Sequence, residues 1–324
     1  MAMNTPPQTL PLTRVADIEA EPPAKRWLID PIWGRADVGI IGGSPKSCKS
    51  WLGLDMALSV ASGTPLLDHF PVSHPGPALI YMAEDALPMV RMRVESLCRH
   101  RHLDIQHLDL HVITCPALRL DLDKDQRRLA NTLDHIRPHL LLLDPLIRLH
   151  RLDENSSSDV SRLLGYLREM QRAFDTAVVL VHHASKKHRA QPGQALRGSS
   201  DLHAFGDANA YLARRRDHLV LTLEQRAARP PEPMTLQLLS GNDGDDTHLA
   251  ITSALPCQPE SLGDRIRDTL QQADEPMTRT AIRAALRVNN QRLGQALQEL
   301  EDAGSALRTQ QGWSAPDQQS LPLG

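Results

Sequence analysis

Short, nearly continuous apolar runs alternate with amphipathic stretches between residues 38 and 181, and this alternation constrains the fold more than any other feature. The apolar runs are Val38–Ile41, Ala78–Met82, Leu108–Ile113, Leu140–Leu143 and Ala177–Val181. The stretches with helical spacing are Trp51–Ser62, Met89–His100, Gln126–His135 and Asp159–Ala173. Strands that are apolar on both faces need helices on both sides of their sheet. The pattern therefore predicts an α/β fold with a mostly parallel sheet.

Changes in composition predict three segments along the chain. Residues 1–25 are rich in proline and are predicted to be an extended N-terminal arm. Residues 26–250 hold the alternating pattern and form the large domain. Its later apolar runs have no convincing helices between them, which predicts hairpin-type strands added to one edge of the sheet. These runs are Ala208–Leu212, Leu219–Leu223 and Met234–Leu239.

The C-terminal segment, residues 262–316, has a different pattern of apolar and polar residues. Three stretches with helical spacing precede two short strand-like pieces, with Thr278 as a helix N-cap and Gly304 as a C-cap. This order predicts a small winged-helix-like domain. Its seven arginines are balanced by seven acidic residues, which is a poor electrostatic footprint for duplex DNA. Binding to DNA and docking to protein both stay open for this segment.

Composition excludes several classes of protein. The chain has 324 residues, a net charge of −3, and no apolar run long enough to span a membrane. The four cysteines (Cys48, Cys98, Cys115 and Cys257) are scattered without paired spacing, which argues against a disulfide scaffold or a zinc module. No secretory signal is visible at the N-terminus, so we expect a cytoplasmic protein without membrane contact. Because the net charge is close to zero, any binding to nucleic acid must come from local clusters of basic residues.

The strongest motif follows the first apolar run. Residues 43–50 read Gly-Ser-Pro-Lys-Ser-Cys-Lys-Ser, which aligns with the phosphate-binding pattern G-x-x-x-x-G-K-[ST]. Backbone N–H groups of such a loop and of the helix after it surround phosphate oxygens. In this pattern the positive charge of Lys49 lies at the phosphates, and the Ser50 hydroxyl is a ligand of Mg²⁺. The predicted nucleotide-binding residues are Gly43, Ser44, Pro45, Lys46, Ser47, Cys48, Lys49, Ser50 and Trp51.

One position of this loop departs from the pattern. Cys48 stands where the second glycine belongs, and its Cβ would crowd backbone that lies close to the phosphates. We therefore expect either a rearranged loop or a lower affinity for nucleotide.

Acidic residues follow two of the predicted strands. Glu84 and Asp85 come directly after one of them, and Asp144 ends another. The carboxyl ends of parallel strands face the ligand crevice of an open α/β sheet. Asp144 is therefore predicted to bind Mg²⁺ and Glu84 to activate the attacking water. Asp85 is as well explained by a helix-capping role.

A third strand ends in a pair of histidines, followed by a basic segment. His182 and His183 are predicted to sense the terminal phosphate, with His182 as the first choice. The segment after them has the composition of a loop that follows a nucleic-acid backbone, because it is basic and lacks aromatic residues for base stacking. Its predicted DNA contacts are Lys186, Lys187, Arg189 and Arg197.

Taken together and in this order, these motifs resemble those of the RepA-type plasmid replicative helicases, a branch of the RecA/DnaB-like P-loop ATPases. The resemblance extends over roughly residues 25–240. It implies a RecA-like ATPase core, MgATP bound between the subunits of a ring that is usually a hexamer, and a loop that touches single-stranded DNA. It further implies replication of a plasmid or other mobile element, with a replication initiator or a primase as possible partners.

The resemblance also assigns individual residues. Glu84 would be the catalytic carboxylate and Asp144 the Walker B acid. DnaB-like relatives supply an arginine to the neighbouring subunit from a Lys-x-Arg pair, which here reads Glu224-Gln-Arg226. Arg226 is thus the first candidate for the trans-acting arginine, with Arg214 as the second. Two other functions stay open: an ATP-switched regulator that binds DNA or protein, and a recombination or loading ATPase without strand separation.

Overall fold

A computed structural model describes residues 10, 12–19, 26–152, 157–183, 200–215, 218–241, 246–252, 262–271, 273, 275–286 and 288–316. They form two compact units, one within residues 1–253 and the other within 254–324. No helix among these residues is both long and apolar enough to cross a membrane.

The larger unit consists of strands, helices and short 3₁₀ turns in alternation. Its strands are β1 (Trp27–Ile29), β2 (Trp33–Gly34), β3 (Val38–Gly43), β4 (Ala78–Met82), β5 (Leu110–Val112), β6 (Leu140–Asp144), β7 (Ala177–His183), β8 (Ala208–Arg215), β9 (His218–Gln225), β10 (Met234–Leu239) and β11 (His248–Ile251). Its helices are α1 (Lys49–Ser62), α2 (Leu87–His100), α3 (Asp123–Ile136), α4 (Ser157–Phe174) and α5 (Ser200–Phe205). The 3₁₀ turns are Val15–Asp17, Ile105–His107 and Leu146–Arg148.

Nine of these strands form one sheet in the order β11-β10-β9-β8-β3-β7-β6-β4-β5. The six strands from β8 to β5 are parallel, and β9, β10 and β11 continue the sheet in antiparallel fashion. The predicted mostly parallel α/β sheet is thus confirmed. The three later runs, β8, β9 and β10, pair antiparallel in sequence and continue one side of the sheet, as predicted. The group joins the other strands through β8, which is the parallel neighbour of β3.

The sheet buries an apolar layer on each face. On one face, β-strand residues such as Ile41 and Leu142 pack with α1 and α2. On the other, residues such as Ile40 and Leu143 pack with α3, α4 and α5. Neighbouring residues of a strand therefore enter different layers, as strand alternation requires. This division assigns a face to each side chain at the ends of the strands.

Strand β11 was not predicted, and neither were two further parts of the larger unit. Strands β1 and β2 pair antiparallel, and Leu28, Ile29 and Trp33 are fully or almost fully buried in the α1 layer. The pieces are too short to show periodicity. Helix α5 has only six residues and lay in the stretch for which no helix was predicted. Both are held by contacts with the sheet and not by local pattern.

The smaller unit contains three helices and a two-stranded hairpin: α6 (Leu262–Gln271), α7 (Arg279–Leu286), α8 (Asn290–Asp302), β12 (Leu307–Arg308) and β13 (Trp313–Ser314). Its own core includes Ile266, Ile282 and Leu297. The Thr278 hydroxyl accepts from the Ala281 N–H at 3.2 Å, as expected of an N-cap. The C-cap of α8 is Ala303, and Gly304, the predicted C-cap, follows it with a left-handed φ of 64°. The assignment of this unit as a winged helix stays a prediction.

Candidate nucleotide-binding site

Four strand ends meet at the carboxyl edge of the parallel sheet. In the register of the strands, Gly43 of β3 lies opposite His183 of β7, and Met82 of β4 lies opposite Asp144 of β6. The order β3-β7-β6-β4 makes these strands consecutive neighbours. The sheet therefore brings the phosphate loop, the histidine pair and both predicted acids to one edge.

The phosphate loop, residues 44–48, connects β3 to α1 as the motif predicts. Lys49 begins the helix and is only 5% exposed, and its Nζ donates to the Ser44 carbonyl oxygen at 2.7 Å. Burial lowers the pKa of this lysine, whereas the charges of Asp144 and Glu84 act in the opposite direction. The two acids are thus close enough to Lys49 to influence its charge, so the three predicted groups form one electrostatic cluster.

Two non-glycine residues of the loop have left-handed backbone. Lys46 and Cys48 both have φ of 62°, and Cys48 immediately precedes α1. This conformation costs a residue with a Cβ roughly 1–2 kcal/mol relative to the right-handed one. The structure thus explains why the motif has glycine at position 48, and Cys48 here adopts the left-handed backbone that glycine would adopt at little cost.

Gly43, the first glycine of the motif, is required by the packing of two strands. A Cβ at this position would lie 2.3 Å from the Leu212 carbonyl oxygen of β8 and 2.7 Å from the Ser47 hydroxyl. Ser47 is fully buried, and its hydroxyl has no hydrogen-bond partner within the described part of the chain. The loop therefore folds tightly against the end of β8 and encloses this hydroxyl.

Asp144 is a buried acid beside Ser50. The Ser50 hydroxyl donates to its carboxylate, and burial raises the pKa of Asp144 to about 6, with the nearby charges of Asp85 and Glu84 adding to the shift. Its Oδ2 atom is buried and has no hydrogen-bond partner among the residues that the structure describes. An unpaired carboxylate oxygen next to a serine hydroxyl and a phosphate loop fits the oxygen ligands that Mg²⁺ prefers.

Glu84 lies two residues beyond β4 and is exposed. Its Oε1 accepts from Nε of Arg148 at 2.7 Å. Both residues line a cleft of about 410 Å³, together with Tyr81, Ala83, Pro116, Ala117 and Arg119. The carboxylate that was predicted to activate water is therefore engaged by an arginine at the entrance of a polar cleft.

Asp85 points to a different partner. Its Oδ2 accepts from Arg93 of α2 at 2.5 Å, and the Arg93 guanidinium carbon lies 5.6 Å from the centre of the Trp51 ring. This chain of contacts links the first turn of α1 to the second turn of α2. It gives Asp85 and Trp51 a structural role beside the phosphate loop, whereas Glu84 belongs to the lining of the cleft.

The two histidines lie on different faces of the sheet. Val179 and Val181 of β7 belong to the layer of α1, while Val178 and Leu180 belong to the opposite layer. Strand alternation therefore places His183 on the face of α1 and His182, which is 2% exposed, on the other face. By the same rule Asp144 shares the face of His183. This geometry favours His183 as the phosphate sensor, although His182 was the first choice.

The two candidate arginines are far apart. Arg214 lies near the end of β8, at the sheet edge where the phosphate loop is found, and it contacts that loop in its own chain. Arg226 follows β9 at the opposite edge, because Gln225 pairs with Ala208 and Ala208 is near the start of β8. There its guanidinium donates to Asp207 at 3.2 Å and to the Ala204 carbonyl oxygen at 2.8 Å. A trans-acting role for either arginine stays a prediction.

The predicted DNA contacts Lys186, Lys187, Arg189 and Arg197 lie outside the described residues. Conversely, sequence reasoning missed Arg148, the partner of Glu84. It stands only four residues after Asp144, in a turn at the same sheet edge. A basic residue four positions after the acid that ends a strand was the available signal.

A strand, a phosphate loop, a helix and an acid at the end of a nearby strand define a P-loop nucleotide-binding protein. Comparison with known families agrees: a family model described as an AAA domain (AAA_25) matches residues 4–189, which is more than half of the chain. The chain belongs to this AAA-domain family and is an ATPase of the P-loop type.

Proposed function

We propose that this protein is a ring-forming DNA helicase or translocase of the RepA/DnaB type, which hydrolyses MgATP to move on single-stranded DNA. Its task would be the replication of a plasmid or another mobile element. The observation that carries the ATPase part is the shared electrostatic environment of Lys49, Asp144 and Glu84 at one sheet edge. The helicase part is supported by the order of motifs along the chain.

The phosphate loop would bind the terminal phosphates of ATP. The N–H groups at the start of α1 provide partial positive charge, and Lys49 adds a full charge. Lys49 would exchange the Ser44 carbonyl for a phosphate oxygen, which is a stronger acceptor because it is ionised. Ser50 and Asp144 would hold Mg²⁺, and the unpaired Oδ2 of Asp144 fits that task. The ion, when bound, supplies charge that stabilises the phosphoryl group in transfer.

Glu84 would orient the attacking water and take up its proton. A carboxylate at the end of a strand beside the loop has the correct chemistry for a general base. To do so, Glu84 must break its ion pair with Arg148 or act while it is still paired, since the arginine donates to one of its carboxylate oxygens. His183 or His182 would report the loss of the terminal phosphate to the segment that follows β7.

The ring and its partners rest on the resemblance alone. In this proposal, subunits assemble into a homo-oligomer, most simply a hexamer. Arg226 or Arg214 would complete the site of a neighbouring subunit. Lys186, Lys187, Arg189 and Arg197 would contact the backbone of single-stranded DNA, and a replication initiator or primase would recruit the ring.

Two measurements on purified protein test the proposal. ATP hydrolysis should require Mg²⁺ and Lys49, so the Lys49→Ala variant should lose activity. Unwinding of a forked DNA by the unsubstituted protein, compared with Glu84→Gln as the catalytically inactive control, tests the helicase part. Hydrolysis that is unchanged in Lys49→Ala would refute the site, whereas hydrolysis without unwinding or movement on single-stranded DNA would refute only the helicase and translocase assignment.

A second candidate is an ATP-switched regulator that binds DNA or protein through residues 262–316. It is favoured by one observation, namely that this part of the chain forms a compact unit with its own apolar core. Strong duplex binding by a fragment of these residues, without unwinding by the whole chain, would support the regulator. DNA-stimulated hydrolysis without strand separation would instead indicate a recombination or loading ATPase.

A further inference from the structure

The phosphate loop of this chain is held in a backbone shape that its own residues do not favour. Both Lys46 and Cys48 have φ of 62°, and neither is a glycine. A glycine at position 48 would adopt this conformation at little cost, whereas a cysteine there needs contacts from outside the loop to stabilise it.

Arg214 makes them from the neighbouring strand. Its Nη2 donates to the Lys46 carbonyl oxygen at 3.0 Å, and the same nitrogen lies 3.9 Å from Sγ of Cys48. One guanidinium nitrogen therefore contacts both residues with left-handed backbone.

The position of Arg214 follows from the sheet. β8 is the parallel neighbour of β3, with Leu212 opposite Gly43. Arg214 stands two residues further along, and Leu212 belongs to the layer of α1. Strand alternation gives Arg214 that same face, directly beside the loop that leads into α1.

We infer that Arg214 acts within its own chain as a positioning residue, which holds the phosphate loop in its binding shape and compensates for the cysteine at the glycine position of the motif. The inference rests on the proposed function, since it concerns the same nucleotide site. It differs from a trans-acting role, in which Arg214 would reach the nucleotide of a neighbouring subunit and affect turnover more than binding.

A double-mutant cycle on the full chain tests the inference. The affinity for a fluorescent ATP analogue is measured for the unsubstituted protein, Arg214→Ala, Cys48→Gly and the double variant. Arg214→Ala should weaken binding by about ten-fold, which corresponds to about 1.4 kcal/mol. In the Cys48→Gly background the same substitution should weaken binding by no more than about two-fold, because glycine needs no such support. Arg214→Lys should recover part of the loss.

Two controls separate positioning from other effects. Arg215→Ala removes the same charge from the next residue, whose side chain belongs to the opposite face of β8, and should keep the affinity within about two-fold. In steady-state hydrolysis Arg214→Ala should raise KM and leave kcat nearly unchanged, as for an interaction equal in ground and transition state. A melting temperature equal to that of the unsubstituted protein shows that the fold is intact.

The outcomes are distinct. If the unsubstituted protein binds nucleotide and Arg214→Ala binds it with the same affinity, the inference is overturned and the proposed function is not. An equal loss with and without Cys48→Gly would do the same, because the arginine would then act by its charge and not through the loop. A fall in kcat with constant KM would also overturn the inference, because Arg214 would then stabilise the transition state instead of the shape of the loop. Absence of binding by the unsubstituted protein would overturn the proposed function and this inference together.

Discussion

Arg148 donates from Nε to Oε1 of Glu84 across 2.7 Å and thereby connects two strand ends of the site. Glu84 follows β4, while Arg148 closes the short turn after β6, the strand that ends in Asp144. Both side chains are substantially exposed, at 58% for Arg148 and 45% for Glu84. An exposed ion pair is weak, so its main consequence is for the carboxylate oxygen that it occupies.

Removal of this arginine should accelerate basal hydrolysis. In Arg148→Ala, Glu84 no longer has to leave a partner before it accepts a proton, and an exposed ion pair contributes up to about 1 kcal/mol. We expect basal kcat to rise about two- to five-fold, measured by phosphate release. Arg151→Ala is a matched control, because Arg151 pairs with Asp121 at 3.3 Å instead of with Glu84. A fall in kcat for Arg148→Ala would show that the arginine assists catalysis.

The two acids that follow β4 should behave differently. Glu84→Gln removes the proton acceptor and should lower hydrolysis by about 10²- to 10⁴-fold, with nucleotide affinity nearly unchanged. Asp85→Asn loses a contact with Arg93 outside the cleft and should retain most of its activity. Phosphate release and equilibrium nucleotide binding measure both effects. Equal losses in the two variants would contradict the assignment of Glu84 as the base.

The ionised side chain of Asp144 should lower the free energy of unfolding, although the proposed Mg²⁺ site requires it. Its pKa is raised from 3.8 to about 6 by burial, so the folded state binds more protons than the unfolded state between these values. Ionisation of Asp144 therefore lowers the free energy of unfolding as pH rises from about 4 to 6, and the loss persists above that range. Asp144→Asn should be more stable than the unsubstituted protein at about pH 8, by on the order of 3 kcal/mol, and lack hydrolysis.

Urea unfolding at two pH values checks this prediction. The stability advantage of Asp144→Asn should disappear near pH 4, where both proteins carry an uncharged side chain at this position. An advantage that does not change with pH would mean that the asparagine stabilises by better packing and not by removal of a buried charge.

The thiol of Cys48 should report occupation of the loop. Burial raises its pKa, with Arg214 and Lys49 opposing the shift, so alkylation at neutral pH should be slow and should accelerate as the solution becomes more alkaline. MgATP should protect the thiol, and alkylation should depress nucleotide binding. Mass spectrometry of residue 48 follows the modification, and Cys48→Gly should resist inactivation. Full nucleotide affinity in protein alkylated at Cys48 would contradict its position at the phosphates.

Much of the site could be read from local sequence because its groups are tied to strand ends. The phosphate loop at residues 44–48 and the acids Glu84 and Asp144 each follow an apolar run, and parallel strands bring such ends to one edge. The strand order was not needed for that conclusion. The N-cap of α7 was equally predictable, since the Thr278 hydroxyl accepts from a backbone N–H only three residues away.

By itself, the sequence determined the class of the fold, the phosphate loop and the acids beside it, because those features depend on periodicity and on residues near one another in the chain. Only the tertiary structure decided the pairing of β8 with β3, the contact of Arg214 with Lys46 and the partnership of Arg148 with Glu84. The partners in the first two contacts are more than 160 residues apart and those in the third are 64 residues apart. Such contacts follow from strand order and packing, which local residue patterns do not encode.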